Sequence, residues 1–457
     1  VKLLCKILRI VSTLAAAALI RAQDVSGPLE ARQIAKDAYV YGFPIVENYR
    51  VQYSRFGGGW NAVTELPRSG DPGVSFPSLD TLNAYVPVDL RAEPMVIEIL
   101  PHNDDRYYTI QFSDLYTYNF AHLGSRISNT NLGVFLLAGP NWKPFKGWQP
   151  VGVYQVFRCE TDLAFLFYRT VIQGPGDFNG AAAVRQDFRI YPLSHYNGEP
   201  PVEGPARIPF MPPLSVDKER ESIDFFNQLN FLLQFCAADP SERDLMARFA
   251  KIGIGPGLTF EPRFYEPEIE LAIRKGVSDA WKACDDAKKQ LESGALPFSS
   301  LFGSRQELGN NYIYRMLGAV EGLNSDSSIE TIEHRYMVDA SGEKLNGKNG
   351  RYRLHFGPDR FPPVNAVWSV TLYGLPSKQF FPNPLGLSSL SSMMAPALTR
   401  DPDGGLTMLI QNEAPEEESP ANWLPAPKGP FLLSLRLYAP KPEAFQGSWA
   451  QPALKKL

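Results

Sequence analysis

The sequence predicts a mainly β protein with a helical middle: a β-sandwich, then helices, then a second β domain. Three observations carry this prediction. Segments rich in aromatic and β-branched residues, separated by Gly, Pro, Asn and Asp clusters, fill 95–172 and return from about residue 351. Between them stand a Pro-rich connector and helix start signals. No alternation of strand and helix appears, so the strands of each half are expected to pair antiparallel and stack as sheets.

Composition agrees. The 457 residues include 40 Pro, 36 Gly, 28 Phe and 20 Tyr, which favours short strands and turns over long helices. A chain this long has material for several separate cores. Net charge is −4 and no basic block occurs, which argues against nucleic acid as a partner.

In chain order, residues 1–22 have the three-part pattern of a secretory signal. Lys2, Lys6 and Arg9 precede an apolar stretch over 10–20 that is too short to span a bilayer, and small residues follow. Ala22 is the natural last residue of the signal and Ala18 the alternative. The mature chain is therefore expected to be exported, secreted or periplasmic, with no membrane span after cleavage. Helical spacing over 29–53 (Ile34, Ala38, Tyr41, Ile45) predicts a helix kinked at 42–44. Strands are predicted at 95–100, 106–114, 134–138, 151–159 and 163–172, closing a first domain over 27–205.

The connector 199–213 leads to a helical segment over 214–310. Asp239–Pro240 with Glu242 is a helix start signal, and a long helix over 267–291 is predicted to bury Ile269, Ala272, Ile273, Gly276, Val277, Ala280 and Cys284. The strands RYRLHF, AVWSVTLY, LTMLIQ and FLLSLRLY then build a β domain over 311–457. Cys159, Cys236 and Cys284 form no disulfide framework, and the last two read as core residues on helical stripes.

Few segments announce chemistry. IGIGPG at 252–257 follows a helix, lacks a Gly-Lys-Ser/Thr, and reads as a helix stop. The five histidines show no tight metal spacing, although Glu330 and His334 would share a face if helical. No metal or cofactor is expected. His355 alternates with Leu354 and Phe356 and is predicted to face away from the core.

The period of two puts Asp114 on the face of Tyr108, Ile110 and Phe112, and Arg169 on that of Phe165, Phe167 and Val171. A buried Asp114–Arg169 ion pair and a strand-end turn capped by Asp114 are the two readings. Asp80–Thr81 likewise suits a turn, and is also a candidate to join Asp114 and Arg169 in one polar cluster.

The segments DAYVYGFPIVENY, LDTLNAYVPVDL, DRYYTIQFSDLYTYNFAHLGSR, LLAGPNW and LFYRT resemble, in order, domain of unknown function 1254. GRYRLHFGPDRFPPVNAVWSVTLYG, FPNPLG, LTMLIQ and ANWLPAPKGPFLLSLRLYAP resemble domain of unknown function 1214. The resemblance implies an exported, mostly bacterial protein with an Ig-like β-sandwich, a helical middle and a jelly-roll-like second β domain; it brings no established reaction. Two positions depart from the family pattern: Ser78 stands where Asn is usual, and Leu387–Ser388–Ser389 where Arg-Tyr-Ser is often found.

The function expected is the binding, with hydrolysis as a further step, of an external small or glycan-like ligand. The catalytic candidates are Asp80 and Asp114. Thr81, Arg106, Tyr107, Arg169, His355, Trp368 and Trp423 are the ligand-binding candidates, the aromatics serving as platforms. A non-catalytic structural or surface interaction protein is the alternative.

Overall fold

The computed structural model describes residues 25–53, 59–66, 75–101, 104–126, 133–144, 148, 151–174, 176–348, 350–415 and 420–457. The signal expected at 1–22 lies outside the described residues.

Helix α1 spans Pro28–Tyr53. Glu30 in its first turn accepts the Ser26 backbone N–H (2.6 Å) and hydroxyl (2.8 Å), tying the preceding chain to the helix start. The expected stripe of Ile34, Ala38, Tyr41 and Ile45 is buried, but so are Tyr39, Phe43 and Val46, so α1 is covered on nearly all sides. The break expected at 42–44 does not end the helix, which runs on through Pro44. Gly42 serves packing instead: a Cβ there would lie 2.4 Å from Leu229 Cδ2 on α2, Phe225–Leu233.

Two further helices, α3 (Pro267–Glu292) and α4 (Tyr312–Gly322), complete this core. Along α3, Ala272, Ile273, Gly276, Val277, Ala280 and Cys284 are buried as predicted, whereas Ile269, in the first turn, is only partly buried. Gly276 lets α3 touch α1, because a Cβ would stand 2.4 Å from the Arg32 carbonyl oxygen and 2.8 Å from Ala35 Cβ. Cys159, Cys236 and Cys284 are buried free thiols.

Among the described residues the first half carries nine strands: β1 (Thr64–Glu65), β2 (Thr81–Asp89), β3 (Met95–Ile99), β4 (Tyr108–Asp114), β5 (Asn119–Gly124), β6 (Gly133–Ala138), β7 (Val153–Arg158), β8 (Leu163–Val171) and β9 (Phe188–Pro192). They form one sheet ordered β1-β2-β8-β4-β5 and a second ordered β7-β6-β3-β9. Both sheets contribute to one core, with Val86, Ile110, Phe112 and Leu166 from the first and Ile97, Phe135 and Leu137 from the second. The other face of the first sheet presents Tyr85, Phe165 and Phe167 to the helices. That sheet is thus buried on both sides. Two pairs run parallel, β6 with β7 here and Leu409–Gln411 with Trp423–Pro425 in the second half, contrary to the all-antiparallel expectation.

Pro87 lies inside β2, next to the central strand β8. Its carbonyl accepts the Asn61 N–H (2.7 Å) on the outer edge, where β1 pairs only with Ala84 and Tyr85. The ring nitrogen faces that same edge, so no ladder bond is lost to proline.

The second half adds β10 (Thr331–Tyr336), β11 (Tyr352–Phe356), β12 (Trp368–Gly374), β13 (Gln379–Phe380), β14 (Ser389–Ser391), β15 (Leu406–Gln411), β16 (Trp423–Pro425), β17 (Phe431–Tyr438) and β18 (Lys455–Lys456). One sheet runs β10-β17-β12-β13, with β14 also on β12; the other runs β16-β15-β11-β18. A single cluster including Leu354, Val370, Met408 and Leu435 lies between their strands. The architecture is a multidomain α/β arrangement of several sheets with helical stretches between them.

Replacing Gly276 with Ala is expected to push α1 and α3 apart and cost roughly 1–3 kcal/mol. Denaturant unfolding checks this; an unchanged midpoint would show that no close approach constrains the site.

Candidate functional site

Residues 75–80 precede β2 in the chain, yet their hydrogen bonds go to the sheet of the second half. The Phe76 N–H donates to the Lys378 carbonyl (2.9 Å), and the Phe76 carbonyl accepts Arg436 Nη2 (3.0 Å). The Pro77 carbonyl accepts the Tyr373 hydroxyl (2.5 Å). Asp80 Oδ2 accepts the hydroxyls of Ser369 (2.6 Å), Tyr438 (3.0 Å) and Ser78 (3.2 Å). Ser369, Arg436 and Tyr438 lie on β12 and β17, so Asp80 is an anchor between the halves.

Beside this anchor is a cavity of about 160 Å³ where three parts of the chain meet. The strands β2 and β8 contribute Thr81, Asn83 and Arg169. The middle contributes Phe298 and Phe302, and the segment after α4 contributes Asn324 and Asp326. From β10 and β17 come Thr331, Glu333, Arg335, Arg436 and Tyr438.

Its walls are charged and mostly buried. Glu333 accepts Arg335 Nε (2.7 Å) and Arg436 Nε (3.3 Å) on its two oxygens. Burial alone would raise the Glu333 carboxyl, but the two guanidiniums outweigh it and hold the pKa at about 2. The Arg335 guanidinium lies over the Phe298 ring (3.5 Å to centroid) and the Phe76 ring (4.1 Å), an arrangement worth about 2 kcal/mol when desolvated. Asp326 accepts His122 Nε2 (2.7 Å) and Arg169 Nη1 (3.4 Å). Against its burial, Arg169 and His122 keep its pKa below the usual carboxylate range. Burial and the neighbouring Asp80 charge push the Tyr438 hydroxyl well up, so it stays a neutral donor.

Residues 60–192 match the family model DUF1254, and residues 330–442 match DUF1214, each described as a protein of unknown function. The chain belongs to the family that pairs these two domains. No curated protein matches. Among solved structures, the VPA0106 protein from Vibrio parahaemolyticus is 23% identical with a TM-score of 0.71, over 93% of this chain and 100% of that one, and shares the fold. A putative uncharacterized protein from Burkholderia cenocepacia is 11% identical over 92% of this chain and 88% of that one, with a TM-score of 0.44. In family terms the cavity draws walls from the DUF1254 part, the DUF1214 part and the helices between them.

Of the residues singled out in the sequence, Thr81 and Arg169 line this cavity and Asp80 stands behind its Tyr438–Ser78 wall. Asp114 does not join them. Arg169 pairs with Thr109 across β4–β8, so it projects to the opposite face from Asp114 and no Asp114–Arg169 ion pair forms. Asp114 accepts the Tyr118 backbone N–H (2.8 Å), which is the turn reading, and burial, with Glu160 nearby, raises its pKa to about 7.

Arg106 is bound to Asp104 (2.7 Å) and Asp177 (2.6 Å), and Tyr107 donates to Glu330 (2.6 Å); both border a separate cleft with Arg126 and Asn365. His355 points outward as predicted, with Thr407 (3.1 Å) and Asp401 (3.2 Å) beside it. The aromatic platform is contradicted. Trp368 packs on Phe356 in the core, and Trp423 is buried with its indole N–H on the Gln411 carbonyl (2.9 Å), because both rings complete strand faces. His334 lies on a strand, not a helix, against the Trp449 ring. Among the described residues no group of three or more His, Cys, Asp or Glu side chains is placed to hold a metal ion.

Sequence reasoning missed Glu333, Arg335, Arg436 and Tyr438. The signal was present in FLLSLRLY, where Ser434, Arg436 and Tyr438 alternate with leucines yet the whole strand is buried.

Replacing Glu333 with Gln leaves two buried guanidiniums short of a counter-charge and is expected to cost about 3–5 kcal/mol. The Glu333 pKa is depressed on folding, so its stabilisation is full above about pH 4.5 and is lost as pH falls toward 2. Unfolding of Glu333→Gln across pH 2–6 should show that acid slope flattened. For Asp114 the sign reverses: its raised pKa means the folded state holds the proton more tightly, so stability falls as pH rises from about 4 to about 7. Asp114→Asn is expected to remove that decline; a wild-type slope in the variant would refute it.

Proposed function

We propose that this is an exported protein that binds a small external ligand in the cavity between its paired domains. The observation that carries the reading is the convergence of β2, β8, β10 and β17 with the middle helices on one cavity of about 160 Å³. Space of that order accommodates a ring the size of benzene. A few placed polar groups beside aromatic walls are what small-molecule sites share. Asp80 acts in this reading by positioning Tyr438 and Ser78, since its Oδ2 is taken up by three hydroxyls.

The same proposal takes residues 1–22 as a signal, 27–205 as an Ig-like sandwich domain, 214–310 as the helical link and 311–457 as a jelly-roll-like domain. The support is the basic and apolar pattern at the amino terminus and the single core between each pair of sheets. Among the described residues no helix is long and apolar enough to cross a membrane.

Ser299 borders the cavity. Ser299→Trp is expected to fill the space while leaving the melting temperature near wild type. Ligand-observed NMR with a panel of small acids, amides, alcohols and sugars should show saturable binding to wild type that Ser299→Trp abolishes. Binding that survives in the variant, or no binding by any panel member, would overturn the reading.

A further inference from the structure

We infer that the junction cavity takes a small organic carboxylate, gripped by the free edge of Arg169. This rests on the ligand-binding reading above and adds the ligand's chemical class.

A guanidinium carries five N–H donors in a fixed fork. Arg169 spends Nη1 on Gln111 Oε1 (2.7 Å) and Asp326 Oδ2 (3.4 Å), and one Nη2–H on the Asn324 carbonyl (2.8 Å). Among the described residues its Nε–H and second Nη2–H donate to nothing. Nε–H and the Nη2 group beside it make the side-on edge of the fork, whose spacing matches the two oxygens of a carboxylate, and its Nε–H is unspent. The side chain is 17% exposed and borders the cavity, so the edge is reachable.

Two more donors on the cavity are in the same condition. Asn83 sits opposite Arg169 on β2; its Oδ1 accepts the Thr81 hydroxyl (2.8 Å), and among the described residues its Nδ2 has no acceptor. Arg335 uses Nε on Glu333 and Nη1 on the Glu321 carbonyl (2.9 Å), while Nη2 has no hydrogen-bond acceptor among the described residues. Donors from three strands, β2, β8 and β10, therefore border one space.

Charge points the same way. Of the charged side chains that line the cavity, three are cationic, Arg169, Arg335 and Arg436, and two are acidic, Asp326 and Glu333. Asp326, the acid nearest Arg169, already accepts from His122 and the Ser327 N–H (3.1 Å). An incoming anion meets unused donors and a positive excess, whereas a cation meets neither. Phe298, Phe302, Leu66 and Leu82 add apolar wall, which suits a carboxylate with a hydrocarbon body better than an inorganic oxyanion.

Calorimetric titration of the full chain with benzoate, benzamide, benzylamine and inorganic phosphate tests this. Benzoate is expected to bind saturably, at least tenfold more tightly than the other three. Arg169→Gln, in protein shown to be folded, should weaken benzoate at least tenfold, and Arg169→Lys, which keeps the charge and loses the fork, should recover only part of that loss. If Arg169→Gln fails to fold, Asn83→Leu, which removes one free donor, should weaken benzoate several-fold. Equal binding of benzamide and benzoate would overturn the carboxylate inference and leave the small-ligand reading standing. Tighter binding of phosphate, or benzoate affinity indifferent to Arg169, would also overturn it. Failure of all four probes, together with the NMR panel, would sink both.

Discussion

The Glu333 carboxylate, held between Arg335 and Arg436, is the interaction on which the junction depends. A carboxylate buried there alone would cost several kcal/mol, and so would either guanidinium. Each charge is tolerable only with the others in place, so the strands β10 and β17 must meet in one register; Glu333 and Arg436 are in fact paired residues across them. Once Arg436 is fixed, its remaining donors decide what lies above it. One goes to the Tyr373 hydroxyl (2.6 Å) and one to the Phe76 carbonyl. Tyr373 in turn donates to Pro77, and the segment 76–80 is pulled onto a sheet more than two hundred residues away in sequence.

That pull explains the backbone of the segment. Phe76 takes φ 57, a conformation uncommon for a bulky residue and held only where surroundings over-determine it. Here the surroundings are a hydrogen bond on each side of its peptide, its ring edge-on to Tyr373 and the Arg335 guanidinium over its face. The chain leaves this clamp as β2, which sets Thr81 and Asn83 on the cavity. Position in the site thus follows from charge burial in the other half of the molecule.

Period-two reasoning located the strands of the second half and the outward turn of His355, because there one face of β11 is solvated. It found Arg169 but gave it the wrong partner. The first sheet is buried on both faces, so an alternating apolar row does not reveal which side it looks toward, and a step of one residue moves a side chain to the other face. Tyr108, Ile110 and Phe112 face the second sheet; Phe165, Phe167 and Arg169 face the helices and the junction. Strand β2 is absent from the predicted strands, and it holds a Pro87 whose nitrogen only tertiary structure shows to point to the outer edge. Glu242 illustrates a third limit. It reads as the last residue of a capping signal, yet its carboxylate is buried and accepts Tyr41, Tyr312 and Arg305. Local spacing proposes a role, and long-range partners decide it.

The pairing of the two domains has a physical meaning in this geometry. The DUF1254 part alone would present Arg169 and Asn83 on an open sheet face, where water screens the guanidinium and competes for its donors. The DUF1214 part alone would leave Phe76's place empty and the Arg335 and Arg436 charges uncovered. Brought together, with Phe298 and Asn324 at the sides, they border one space of small-molecule size with unspent donors. The buried ion cluster is costly as a source of stability, since apolar residues of like volume often serve as well or better. Its value lies in specifying one docking of the halves, and that docking is what creates the cavity.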